Sequence, residues 1–114
     1  MRAAAFSGAV LTGGRSTRMG SNKALVELRG RPLAAYPRDA LRAAGAAEVV
    51  AVGGDPVALT ALELAVVADE QPRQGPLGGI LTALRWARTP VVVVLACDLP
   101  AVTPAVVRHL VAAC

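Results

Sequence analysis

The chain has 114 residues, 54% of them hydrophobic, and a formal net charge of +4, which suits one compact globular domain with a core and is too short for two. Its longest apolar run falls far below the roughly 20 residues of a membrane span. Scattered arginines with one Phe, one Tyr and one Trp argue against nucleic acid, and two cysteines and a single histidine argue against a disulfide framework, a zinc site or a histidine-based triad.

In chain order, "AFSGAVL" (5–11) predicts a buried first strand rather than a signal peptide, and with it a cytoplasmic protein. The loop "TGGRSTRMGSNK" follows, and then "LVELRGRPL" (25–33), an extended segment turning around Gly30. "PLAAYPRDALRAAGA" (32–46) predicts a helix whose Pro37 demands a later start or a kink. A second strand, "EVVAVG" (48–53), leads through "GGDP" to a short helix over 56–62, for which Asp55 is the expected N-cap. "LAVVA" (64–68) is the third strand, followed by "DEQPRQGPLGG" and a helix over 76–88. "VVVVLA" (91–96) is the fourth, and after "CDLP" a last helix over 103–114 has Thr103 as its cap and Pro104 at its first position.

Continuous apolar runs are what strands covered on both faces look like, and their alternation with helices predicts a parallel α/β sheet with right-handed crossovers. Ligands of such sheets bind at the carboxyl ends of the strands. Four polar loops converge there.

The first loop is neither a P-loop nor a GxGxxG fingerprint. Gly13 and Gly14 nevertheless let peptide N–H groups approach anionic oxygen, while Arg15, Arg18 and Lys23 supply cation. Lys23 is the only lysine. A simple turn with solvated arginines is the plainer alternative for these residues, and the spacing to Lys23 tips the reading towards a polyphosphate. Asp98, just past four valines, stands where a carboxylate holds Mg²⁺, which takes one or two carboxylates and completes its shell with water and phosphate oxygen. Because Thr103 already serves as the cap, Asp98 is hard to explain as one. Asp69 and Glu70 either are ordinary loop acids or face a ligand, and Gly75, Gly78 and Gly79 either loosen a helix start or meet a base or ribose. His109 is expected at the surface, Trp86 in packing, and Cys97 as a small buried hydrophobe.

Together, "LTGGRSTRMGSNKALVELRGRPL", "GPLGGILTAL" and "ACDLP" resemble, in order and over nearly the whole chain, the molybdenum cofactor guanylyltransferases and their MobA-like relatives. The resemblance implies an α/β, Rossmann-like three-layer nucleotidyltransferase fold with a mainly parallel sheet. Residues 1–114 would be a single NTP-binding domain, the N-terminal portion of the full family domain and lacking its usual C-terminal part. It implies nucleotide contacts from Leu11, Thr12 and Gly13, a phosphate loop completed by Gly14, Arg15 and Arg18, and Lys23 on the phosphates. Asp69 would bind nucleotide, the Gly75, Pro76, Leu77, Gly78, Gly79 loop would lie near the base, and Asp98 would bind both Mg²⁺ and nucleotide. Arg18, Lys23 and Asp98 would carry catalysis.

The implied reaction transfers GMP from GTP to the phosphate of molybdopterin and releases pyrophosphate. The implied partners are GTP or another nucleoside triphosphate, a molybdopterin-type phosphate acceptor and other proteins of molybdenum cofactor biosynthesis. Alternatives are a related cytidylyl or sugar-phosphate nucleotidyltransferase and a non-catalytic nucleotide-binding fragment. One departure bears on the base: some guanylyltransferases carry a nucleotide-binding asparagine after the second strand, where this chain has Val52, Gly53 and Gly54.

Overall fold

Valine-rich runs with no polar face must be covered on both sides, and the chain covers them by packing helices above and below one sheet. The computed structural model describes residues 5–13, 24–70 and 75–114. Their elements are β1 (Phe6–Leu11), β2 (Glu27–Leu28), β3 (Arg31–Pro32), α1 (Ala35–Ala43), β4 (Val49–Val52), α2 (Pro56–Thr60), β5 (Ala65–Val67), α3 (Pro76–Trp86), β6 (Val91–Ala96) and α4 (Pro104–Ala112). Strands β5, β4, β1 and β6 lie side by side in that order, and every pairing is parallel. The chain thus steps outward from β1 to β4 to β5, then returns across β1 to place β6 on its other side.

Right-handed crossovers make that reversal a change of face. Helices α1, α2 and α4 contribute Leu41, Leu59, Val107 and Val111 to one core, where they meet Phe6, Val10, Val93 and Leu95 of the sheet. On the opposite face Ala83 of α3 meets Ala9, Val50 and Val52, with Leu11, Val67 and Trp86 packed around them. Alternate residues of β1 serve the two cores, as the twofold pleat requires. The expected three-layer α/β architecture is therefore present.

The turn-linked segment at 25–33 becomes a hairpin with Leu28 opposite Arg31. Both central residues of its turn have positive φ, 55° at Arg29 and 78° at Gly30, the backbone a two-residue type I′ hairpin needs. Helix α1 starts at Ala35, later than 32, and runs without a break. Pro37 is its third residue, in the first turn, where an N–H has no acceptor within the helix and its loss is tolerated. The Tyr36 hydroxyl donates to the Leu28 carbonyl, and Arg31 lies over the Tyr36 ring, 4.7 Å from its centroid, while pairing with Asp39. Arg38 Nε donates to the same carboxylate at 2.8 Å. Partial burial pushes the Asp39 carboxyl up, but the hydrogen bonds and charges of Arg38 and Arg31 outweigh it and hold the group below its ordinary value.

The expected caps are in place: Asp55 accepts the Val57 N–H at 3.0 Å and Thr103 the Val106 N–H at 3.2 Å. Cys97 is buried, Trp86 half-buried and His109 exposed. No helix among the described residues is long and apolar enough to cross a membrane.

Candidate functional site

The register brings the strand ends into line. Val67 of β5 is paired with Val52 of β4, Val52 with Leu11 of β1, and Leu11 with Ala96 of β6. At about 4.8 Å between neighbouring strands, the loops that leave this row span about 14 Å of one sheet edge. They are the expected loops. The crevice between β1 and β6 lies where the chain reverses direction, the place where open α/β sheets take ligands.

Three of these loops are joined through backbone. The N–H groups of Thr12 and Gly13 both donate to the Val52 carbonyl at 3.1 Å, and the Gly53 N–H donates to the Val67 carbonyl at 2.9 Å. Thr12 is buried, and its hydroxyl has the Gly53 carbonyl at 2.7 Å and the Val52 carbonyl at 3.2 Å. The side chain of Thr12 therefore clamps the loop after β1 to the loop after β4. Gly53 has φ +76°, and a Cβ there would stand 2.9 Å from Gly13 Cα and 3.8 Å from Asp69 Cβ. Only a glycine lets the two backbones lie this close in this conformation.

Asp69 is half-buried beside Gly53, and α3 closes this side of the site. Gly75 is the N-cap of α3, with Pro76 first in the helix and no side chain capping it. Pro76 has no N–H and the Gly78 N–H donates to the Gly75 carbonyl at 3.1 Å, so what α3 brings to the carboxyl edge of the sheet is chiefly the positive end of its dipole, which favours an anion. Pro76 and Leu77 are exposed, whereas Gly78 and Gly79 are buried against the sheet. A Cβ on Gly79 would meet Leu11 Cδ2 at 2.7 Å, so this glycine is a point of close helix–strand approach. Glu70 forms an exposed ion pair with Arg85 at 3.0 Å.

Asp98 is exposed two residues beyond β6. Among the described residues no three His, Cys, Asp or Glu side chains gather into a protein cage for a metal. A single hard carboxylate oxygen at the switch point fits instead a cation that takes its remaining ligands from phosphate and water.

The structure thus gathers Leu11, Thr12, Gly13, Asp69, Gly75 and Gly78 around linked loops, with Asp98 on the adjoining strand end. Gly14, Arg15, Arg18 and Lys23 lie outside the described residues. Two contributors were not singled out by the sequence. One is the pair Gly53 and Gly54, which the sequence offers only as part of the polar loop after β4 and as the place of a missing asparagine. The other is Thr82, whose signal is its place in a small-residue stripe with Gly78, Gly79 and Ala83.

A family model described as the MobA-like NTP transferase domain matches residues 8–114. The chain belongs to this family. Among curated MobA-like relatives, the molybdenum cofactor guanylyltransferase of Xanthomonas euvesicatoria pv. vesicatoria is 41% identical over 108 residues, covering 94% of this chain and 54% of that protein. A probable molybdenum cofactor guanylyltransferase of Opitutus terrae is 41% identical over 115 residues, covering 98% and 57%. The chain spans about half the length of the curated relatives it matches. A solved nucleotidyl transferase from Methanothermobacter thermautotroptrophicus superposes with a TM-score of 0.76 at 26% identity, covering 92% of this chain and 56% of that one. The MobA-like nucleotidyltransferase fold is therefore shared with a solved structure.

Proposed function

We propose that this MobA-like chain forms the nucleotide-binding part of a Mg²⁺-dependent nucleotidyltransferase that moves GMP from GTP to the phosphate of a molybdopterin-type acceptor. The alignment of the four strand ends carries the reading, because it brings a glycine-lined backbone, the N-terminus of α3 and two aspartates to one edge. The names of the relatives supply the guanylyl and molybdopterin parts of the proposal.

In this reaction an oxygen of the acceptor phosphate attacks the α-phosphorus of GTP in line as pyrophosphate leaves. No protein nucleophile is needed. The protein's task is to position two anions and to neutralise charge as it develops. Leu11, Thr12 and Gly13 bound the site at the end of β1; because the Thr12 and Gly13 N–H groups are taken by the Val52 carbonyl, phosphate contact is assigned to Gly14 and Arg15, which follow in the sequence. Asp69 and the Gly75, Pro76, Leu77, Gly78 turn bound the nucleoside side. Arg18 and Lys23 receive the departing phosphates, Arg18 as a planar fork and Lys23 as a compact charge. Asp98 would hold the divalent ion, which when bound would withdraw charge from the α-phosphate.

Calorimetric titration of the chain with GTP, CTP, ATP and UTP, each with and without Mg²⁺, tests the proposal. GTP is expected to bind more tightly than the others and to require Mg²⁺ for full affinity. Preference for CTP would replace the guanylyl assignment with a cytidylyl one, and the absence of Mg²⁺-dependent binding of any nucleotide would remove the site. Pyrophosphate release with molybdopterin present distinguishes turnover from binding alone.

A further inference from the structure

Helix α3 carries a hydroxyl among buried residues that are otherwise glycine or alanine. Thr82 is 2% exposed, and its Oγ1 touches three groups. The Glu70 N–H, which can only donate, points to it at 3.0 Å; the Gly78 carbonyl lies at 3.0 Å and Asp69 Oδ1 at 3.4 Å. A hydroxyl has one proton and two lone pairs. One lone pair therefore takes the Glu70 amide, while the proton has the shorter contact to Gly78, one turn back along the helix, and the carboxylate of Asp69 within reach.

We propose that Thr82 is a positioning residue of the nucleotide site: its buried hydroxyl fastens the Asp69–Glu70 turn to the first turn of α3 and so sets where the Asp69 carboxylate points. Among the described residues a second link from α3 to this turn is the Arg85–Glu70 pair, with side chains 67% and 50% exposed. Solvent and salt weaken such a pair. The buried hydroxyl carries no such penalty. Asp69 in turn borders Gly53, which lies against Gly13, so a displaced turn at Asp69 moves a wall shared by three loops. The inference rests on the reading that Asp69 faces bound nucleotide.

Threonine, serine and valine separate the hydroxyl from the packing. GTP affinity in the presence of Mg²⁺ is to be measured for the wild type, Thr82→Ser, Thr82→Val, Asp69→Asn and the Asp69→Asn/Thr82→Val double variant. Thr82→Ser is expected to bind within about twofold of the wild type and Thr82→Val about tenfold more weakly, the scale of one hydrogen bond. In the Asp69→Asn background the valine substitution is expected to cost less than about twofold, because its effect passes through the carboxylate. Wild-type affinity in Thr82→Val, or an equal loss in both backgrounds, overturns the proposal.

A readout without nucleotide accompanies these. Amide hydrogen exchange at Glu70 is expected to be faster in Thr82→Val than in the wild type and restored in Thr82→Ser; unchanged protection overturns the fastening itself. If the wild type bound no nucleotide, the reading of the site would fall, and exchange at Glu70 would still decide whether Thr82 holds the turn.

Discussion

The two faces of the sheet are filled by different kinds of side chain. On the α1, α2 and α4 side the core is made of Leu41, Leu59, Val107 and Val111 against Phe6 and Val10. On the other side α3 approaches through Gly78, Gly79, Thr82 and Ala83, and turns Leu77, Ile80, Leu81 and Leu84 outward. Large aliphatics hold a helix away from a sheet and bury much area per residue. Small ones bring the helix backbone close, at the expense of buried area. The first face therefore supplies most of the stability, and the second sets the distance between the N-terminus of α3 and the loops after β1, β4 and β5.

Four substitutions test that division, in decreasing order of expected effect on unfolding free energy. Leu41→Ala removes a fully buried side chain of the first face; chemical denaturation is expected to show a loss of about 2–5 kcal/mol. Its folded fraction should keep wild-type GTP affinity, and a large loss of affinity would mean that the first face also shapes the site. Gly53→Ala sits where the faces meet the loops. It combines a positive φ with a Cβ 2.9 Å from backbone, so a cost of about 1–3 kcal/mol is expected, together with loss of nucleotide binding in titration.

Asp98→Ala is expected to change stability by no more than about 0.5 kcal/mol, as befits an exposed side chain, while abolishing the Mg²⁺-dependent part of GTP binding. A retained Mg²⁺ response would take Asp98 out of the metal site. The smallest effect belongs to Asp39, whose carboxyl is lowered and whose side chain is 45% exposed. A lowered folded pKa gives stability that is present above the unfolded value, about 3.9, and is lost as pH falls through the folded one. Thermal unfolding from about pH 6 down to about pH 2 is expected to show a slightly steeper acid loss in the wild type than in Asp39→Asn, and parallel curves would refute this.

Much of this division was legible in the chain. The four sheet strands announce themselves because a buried parallel strand has no polar face to interrupt it, and Asp55 and Thr103 announce helix starts because their roles are local. The glycines were harder. A glycine beside a strand end serves a ligand or another backbone equally well, and only the approach of Gly53 to Gly13 tells which packing is used. Thr82 was missed because "GILTALRW" reads as an apolar helix. Its partner, the Glu70 amide, comes from the segment before the helix and is identified only when the chain folds. Of the two expectations that Pro37 raised for α1, the later start is the one realised, because Pro32 belongs to the hairpin that precedes it.

The placement of β1 also governs how the molecule assembles. Its first residue, Phe6, pairs with Val91, and Gly8 pairs with Val49, so the central strand must wait for partners made much later in the chain. Such long-range parallel pairing closes slowly, since the entropy of large loops is lost before any contact rewards it. The crevice between β1 and β6 comes into being only when these two strands pair. A ligand held in that crevice would therefore be bound only after β6 has left the ribosome and paired with β1.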